Sequence, residues 1–111
     1  MKENTRSKFK VHSLKITPMY FREILTGSKN FEVRYNDRNY KVGDILSLEE
    51  FDAKGYTGKF LNAEITYILN DPAYCKKDYV ILGFKLRLDR GANILWLILE
   101  YKKIYKRYEP P

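Results

Sequence analysis

A chain of 111 residues, 44% hydrophobic with ten Tyr and six Phe, has the size of one domain and is too aromatic for a disordered segment. Its single cysteine, Cys75, excludes an internal disulfide and, beside a lone histidine, offers no metal-ligand spacing, so the reading is a reducing, cytoplasmic compartment with no metal and no cofactor. The net charge of +7 sits mainly in the ends, +4 over residues 1–17 and +2 over residues 88–111, which suits attraction to a polyanion, nucleic acid foremost, unless the basic ends serve only solubility.

Residues 1–10 are polar and basic without an apolar h-region and are expected to form a flexible N-terminus with no secretory signal. Phe9 to Ile16 then reads as a first strand, with Val11, Ser13 and Lys15 on one side and His12, Leu14 and Ile16 on the other. On that more apolar side, His12 is expected to be a core or hydrogen-bonded residue rather than a ligand. Thr17-Pro18 marks a helix start, with Thr as N-cap and Pro at the first helical position, where its missing donor costs nothing. The helix follows through Thr26, and Gly27 supplies the left-handed residue that commonly ends one.

The stretch Gly27-Ser28-Lys29-Asn30-Phe31-Glu32-Val33-Arg34 concentrates ionisable groups at the centre of the pattern. Strand alternation puts Phe31, Val33 and Tyr35 on one face, expected to enter the core, and Glu32 and Arg34 on the other, where Lys29 joins them in a recess open to solvent. The competing reading is a solvated, self-neutralising strand face. Asn36-Asp37-Arg38-Asn39 is a turn cluster, Gly43-Asp44 a tight turn, and Ile45 to Phe51 the next strand. Asp52 to Gly58 reads as a loop, Phe60 to Leu69 as the clearest strand, and Asp78 to Leu88 as the last, with Val80, Leu82, Phe84 and Leu86 on one side. Five strands with one helix after the first argue for a mainly β fold with some α, a small and mostly antiparallel barrel over residues 11–88. Residues 89–111 follow as an extension in which Ile94, Leu97, Ile98, Tyr101, Tyr105 and Tyr108 recur at helical steps. The C-terminal helix this predicts is a candidate homodimer surface through residues 94–108, or a cover for a sheet edge; a further strand through Ile94 to Leu99 is the competing assignment. Those six residues fall far short of the roughly 20 that a membrane-spanning helix needs, so no membrane partner is expected.

With strand, helix, Gly27 and charged strand in this order, the chain resembles the ASCH domain family, small barrels related to the PUA RNA-binding domain. The family's G-x-K-x-x-E-x-R signature stands in full as Gly27, Lys29, Glu32 and Arg34, ahead of a V-G-D turn at Val42-Gly43-Asp44. Other stretches, among them His12-Ser13-Leu14-Lys15-Ile16, Asn36-Asp37-Arg38 and Tyr56-Thr57-Gly58, look like a bacterial and phage branch of that family. The resemblance runs from about Val11 to Leu86 and implies a PUA-like barrel that binds RNA or a nucleotide in a cleft lined by the signature charges.

Under that implication Lys29 and Arg34 contact phosphate or carbonyl oxygens, Arg34 in two-pronged fashion. Glu32 accepts from a base amino group or holds Arg34 in place. Tyr35, Tyr56 and Tyr67 are candidates to stack on a base, and Asn36, Asp37 and Arg38 to line the same mouth or merely shape the turn. An alternative is hydrolysis of acylated cytidine nucleosides or RNA, since some small ASCH proteins are amidohydrolases that use a Lys, a Thr nucleophile and a distant Glu. Lys29 matches that lysine, but Glu32 stands at the threonine position, and Asp71 and Asp78 are the only acids where the distant Glu would lie. Catalysis would then fall to Lys29 and Glu32, with Glu32 as general base. The third reading is a protein-interaction module that dimerises through the C-terminal helix.

Overall fold

The computed structural model describes residues 9–87. The predicted C-terminal helix and the dimer surface at residues 94–108 lie outside them, as do residues 1–8. In chain order the elements are β1 (Val11–Ile16), α1 (Pro18–Leu25), β2 (Phe31–Tyr35), β3 (Ile45–Asp52), β4 (Gly55–Leu69) and β5 (Tyr79–Leu86). They build one five-stranded sheet in the order β1-β3-β4-β5-β2, curled into a half-barrel, with α1 against β3. Three of its neighbouring pairs are antiparallel; β1 runs parallel to β3, which the long connection between them, through α1 and β2, allows.

Alternation fills the inside of the curl. Leu14 and Ile16 of β1, Leu46 and Leu48 of β3, Leu61, Ala63 and Ile65 of β4, and Val80, Leu82 and Phe84 of β5 meet there, and Phe21, Ile24 and Leu25 of α1 close one side. A buried aliphatic side chain of this kind stabilises by about 1.5–3 kcal/mol relative to its exposed state. The N-cap of α1 differs from expectation: Thr17 makes no side-chain cap bond, and its carbonyl instead accepts from the Phe21 amide at 2.8 Å. The expected loop at Asp52 to Gly58 is largely strand. Ala53 and Lys54 form a tight hairpin turn after which β4 begins at Gly55, and Asp52 accepts the Lys54 amide at 2.8 Å. Gly58, at φ +93°, lies where the β3–β4 register slips between Glu49 and Phe51; a left-handed residue lets the longer strand bulge and keep pairing.

Strand β2 enters the sheet with the opposite face inward from the one expected. Glu32 is 5% exposed, while Phe31, Val33 and Tyr35 are 41%, 52% and 53% exposed. The cause is register: Glu32 pairs with Leu82 and Arg34 with Val80, and both partners point into the curl. Alternation says which residues share a face, but pairing decides which face is inside.

Candidate functional site

Both edges of the half-barrel contribute to the site. β1 and β2 are the outer strands, and two arginines, one on β2 and one just past it, reach across to β1. Arg34 donates from Nη2 to the Lys15 carbonyl at 2.7 Å, and Arg38, just past β2, donates from Nη1 to the Ser13 carbonyl at 2.7 Å. A strand edge has unpaired carbonyls, and guanidinium groups long enough to span the gap satisfy them.

Glu32 anchors this seam from within. Its Oε1 accepts from Arg34 Nε at 3.0 Å and its Oε2 accepts from Lys29 Nζ. Lys29 reaches it because the turn after α1 brings the lysine back over the strand; its amide donates to the Glu23 carbonyl at 3.0 Å, and its ammonium also donates to the Phe31 carbonyl at 2.8 Å. The same ammonium lies 5.0 Å from the Tyr20 ring centre and 5.2 Å from that of Phe31, within cation–π range. Two cations around one carboxylate leave a net positive charge, and among the described residues Arg34 Nη1 and one Lys29 proton have no acceptor.

Beside this cluster opens a recess of about 400 Å³ lined by Lys15, Ile16, Thr17, Tyr20, Glu32, Val33, Arg34, Tyr35 and Tyr79. Tyr35 and Tyr79 meet edge to face at 5.6 Å between ring centres. Lys15 stands at its rim, its ammonium 4.5 Å from the Phe51 ring centre. The recess can take a planar group against an exposed tyrosine face and an anionic oxygen on Lys15 or Arg34.

The residues singled out in the sequence thus divide among several places. Lys29, Glu32, Arg34 and Tyr35 converge at the seam. Asn36 and Asp37 line a neighbouring polar recess of about 460 Å³ with Asn39, Tyr40, Ile68, Asn70 and Val80. Arg38 bridges to β1 and lies 3.7 Å from Asp37. Tyr56 does not line the seam recess but, edge-on to Phe51 at 4.9 Å, a third recess with Ser47, Glu49 and Glu50; the Lys15 ammonium, 5.8 Å from its ring centre, is its link to the seam. Tyr67, 64% exposed, is on the outer wall of the sheet. Asp71 accepts the Ala73 amide of its own turn at 2.9 Å. Lys15, Tyr20 and Tyr79 were not among the sequence candidates. Lys15 and Tyr79 stand on strands that pairing alone brings to the seam, and Tyr20 on α1 carries no local mark of its position.

The V-G-D turn has a role that its sequence reading as a turn does not contain. Asp44, 1% exposed, is held by His12 Nε2 at 2.8 Å and by the amides of Lys10 and Lys41, both at 3.1 Å. Burial pushes its carboxyl pKa up, but these hydrogen bonds outweigh burial and hold it below the usual carboxylate range. His12 is buried as expected, edge-on to Tyr40 at 4.8 Å between ring centres. Burial raises the Tyr40 phenol above its ordinary value against the opposing charge of Arg38.

Residues 11–84 match the family model described as a domain of unknown function, DUF3850. The chain belongs to the DUF3850 family. That stretch runs from the first residue of β1 to Phe84 in β5, so all of the sheet but the last two residues of β5, the helix and the whole charged seam lie inside the DUF3850 domain. The chain is also similar to an uncharacterized 12.9 kDa protein in the GpA 3′ region of Escherichia phage P2, 40% identical over 73 residues, which are 66% of this chain and 66% of that protein. Among the described residues no helix is long and apolar enough to cross a membrane.

Proposed function

We propose that this DUF3850 chain is an RNA- or nucleotide-binding domain of the ASCH type, PUA-like in architecture, and that the ligand enters the recess beside Arg34. The observation that carries this reading is the coincidence, in one recess, of Lys15 and Arg34 with the edge-to-face pair Tyr35 and Tyr79 over a buried carboxylate. Cations and aromatic faces in alternation match a ligand that alternates phosphate and base. The full G-x-K-x-x-E-x-R signature at Gly27, Lys29, Glu32 and Arg34 and the overall charge of +7 support the same class.

In this reading Glu32 is the brace of the site. It keeps Lys29 and Arg34 in place, and Arg34 Nη1 and Lys15 take the phosphate. Binding is its task rather than hydrolysis: both Glu32 oxygens already accept from cations, and no hydroxyl stands where the amidohydrolase threonine would.

Titration of labelled single-stranded RNA and of free nucleotides tests this. Wild type is expected to bind at low salt, and Arg34→Ala, checked for folding by its circular dichroism, to bind at least about tenfold more weakly, the loss of one charge-assisted bond. Absence of binding at low salt, or equal affinity in the variant, rejects the assignment. Turnover of acylated cytidine that disappears in Lys29→Ala would instead favour the hydrolase.

A further inference from the structure

We propose that the outer wall of the sheet holds a second nucleic-acid contact, a slot above Gly83 in which one unpaired base stacks between Phe31 and Tyr67. This inference rests on the RNA-binding reading and extends it to a surface that the recess does not include.

Pairing brings the three residues into one row. Phe31 of β2 and Tyr67 of β4 are both registered against Gly83 of β5, which runs between their strands. All three belong to outward positions, because the alternating residues Leu82 and Phe84 of β5 are buried in the curl. The rings are exposed, 41% at Phe31 and 64% at Tyr67, and the position between them has no side chain. Adjacent strands lie about 4.8 Å apart, so the two aromatic backbones are separated by roughly 10 Å. A base inserted between two rings needs two stacking intervals of about 3.4 Å, which that separation accommodates.

Charge favours an anionic strand over another occupant. Lys29 Nζ lies 5.2 Å from the Phe31 ring centre, and Lys85 occupies the next outward position after Gly83 and is exposed; Glu64, registered opposite Lys85, is itself paired with Arg87, so the row stays cationic. Lys29 also belongs to the seam, so one cation joins the wall to the recess. Aromatic rings on a sheet surface flanked by lysines are a means of holding single strands with little sequence preference. Double-stranded ligands keep their bases in the stack and would not fill the slot.

The test follows from the glycine. A Cβ at Gly83 would meet Tyr67 Cβ and its carbonyl oxygen at 3.6 Å, ordinary contact, so Gly83→Val is compatible with the strand while its methyls occupy the slot. Full-length wild type, Gly83→Val and Tyr67→Ala are titrated with a single-stranded RNA carrying 2-aminopurine and with a blunt duplex, with sedimentation recorded for each. Both variants are expected to bind the single strand about five- to a hundredfold more weakly and to lose the quenching of 2-aminopurine. Duplex affinity is expected to stay unchanged. Tyr67→Ala adds no bulk and reads the slot if Gly83→Val fails to fold. Wild-type binding that both variants retain overturns the slot and leaves the recess standing; no wild-type binding at all overturns both. A change in association state with unaltered RNA affinity would assign the wall to a second copy of the chain and likewise overturn the slot.

Discussion

Glu32 is nearly inaccessible, yet each of its oxygens is engaged by a cation from within eight residues of sequence. Glu32→Gln exchanges one acceptor for an amide donor that faces a cation. It is expected to destabilise by about 1–3 kcal/mol, read as a lower urea midpoint at unchanged slope. Asp44 gives a separate signature in pH. Its folded pKa lies below the unfolded value of about 3.9, so its contribution is complete above that value and is lost as pH falls through the folded pKa. Asp44→Asn should therefore lower stability at pH 7 by about 1–3 kcal/mol and flatten the decline in stability below about pH 4, measured by urea unfolding across an acid series. The Gly-Lys-Glu-Arg spacing made the seam charges visible in the sequence. The long-range hydrogen bonds of Asp44 were not, because Lys10 and His12 reach it only after β1 pairs with β3; the Lys41 amide belongs to the turn itself.

At the scale of elements, the junction between α1 and β2 depends on Gly27 at φ +85°. A Cβ there would meet nothing within 4 Å, so the cost of Gly27→Ala is that of the left-handed backbone alone, about 1–2 kcal/mol. Gly27→Asn should recover part of it, since asparagine tolerates that conformation; thermal unfolding of the two variants makes the comparison. The glycine was readable as a helix stop because the periodic residues end just before it. β2 shows the opposite case. Its alternation was plain, but an apolar face of Phe31, Val33 and Tyr35 gave the wrong side for the core, since the carboxylate it displaced inward came with its own cations. The Arg34 and Arg38 bridges give this edge a measurable consequence. Replacing both arginines with alanine should speed amide hydrogen exchange in β1 and β2 while β4, paired on both sides, keeps its protection.

For the whole molecule, the charge excess should appear as a salt dependence of binding. Two phosphate contacts, from Lys15 and Arg34, predict that log K for single-stranded RNA falls with log salt at a slope of about −1.4. Lys15→Ala, whose ammonium rests over the Phe51 ring, should reduce the slope by about 0.7 with little effect on stability. Titration at several salt concentrations measures both slopes. A slope unaffected by Lys15 would remove it from the ligand path.

By itself the sequence determined the local pieces: five apolar-alternating strands, a proline-started helix, the glycine that ends it, and a spaced set of acid and base groups. These follow from periodicity and backbone preference, which act between residues close along the chain. Tertiary structure alone decided that β1 lies parallel to β3, that β2 turns its charges inward, that Lys15 and Tyr79 join Arg34 at one recess, and that Phe31 and Tyr67 share a row across Gly83. Each of those is a matter of register between strands distant in sequence, and a shift of one residue would send every side chain of the strand to the other face.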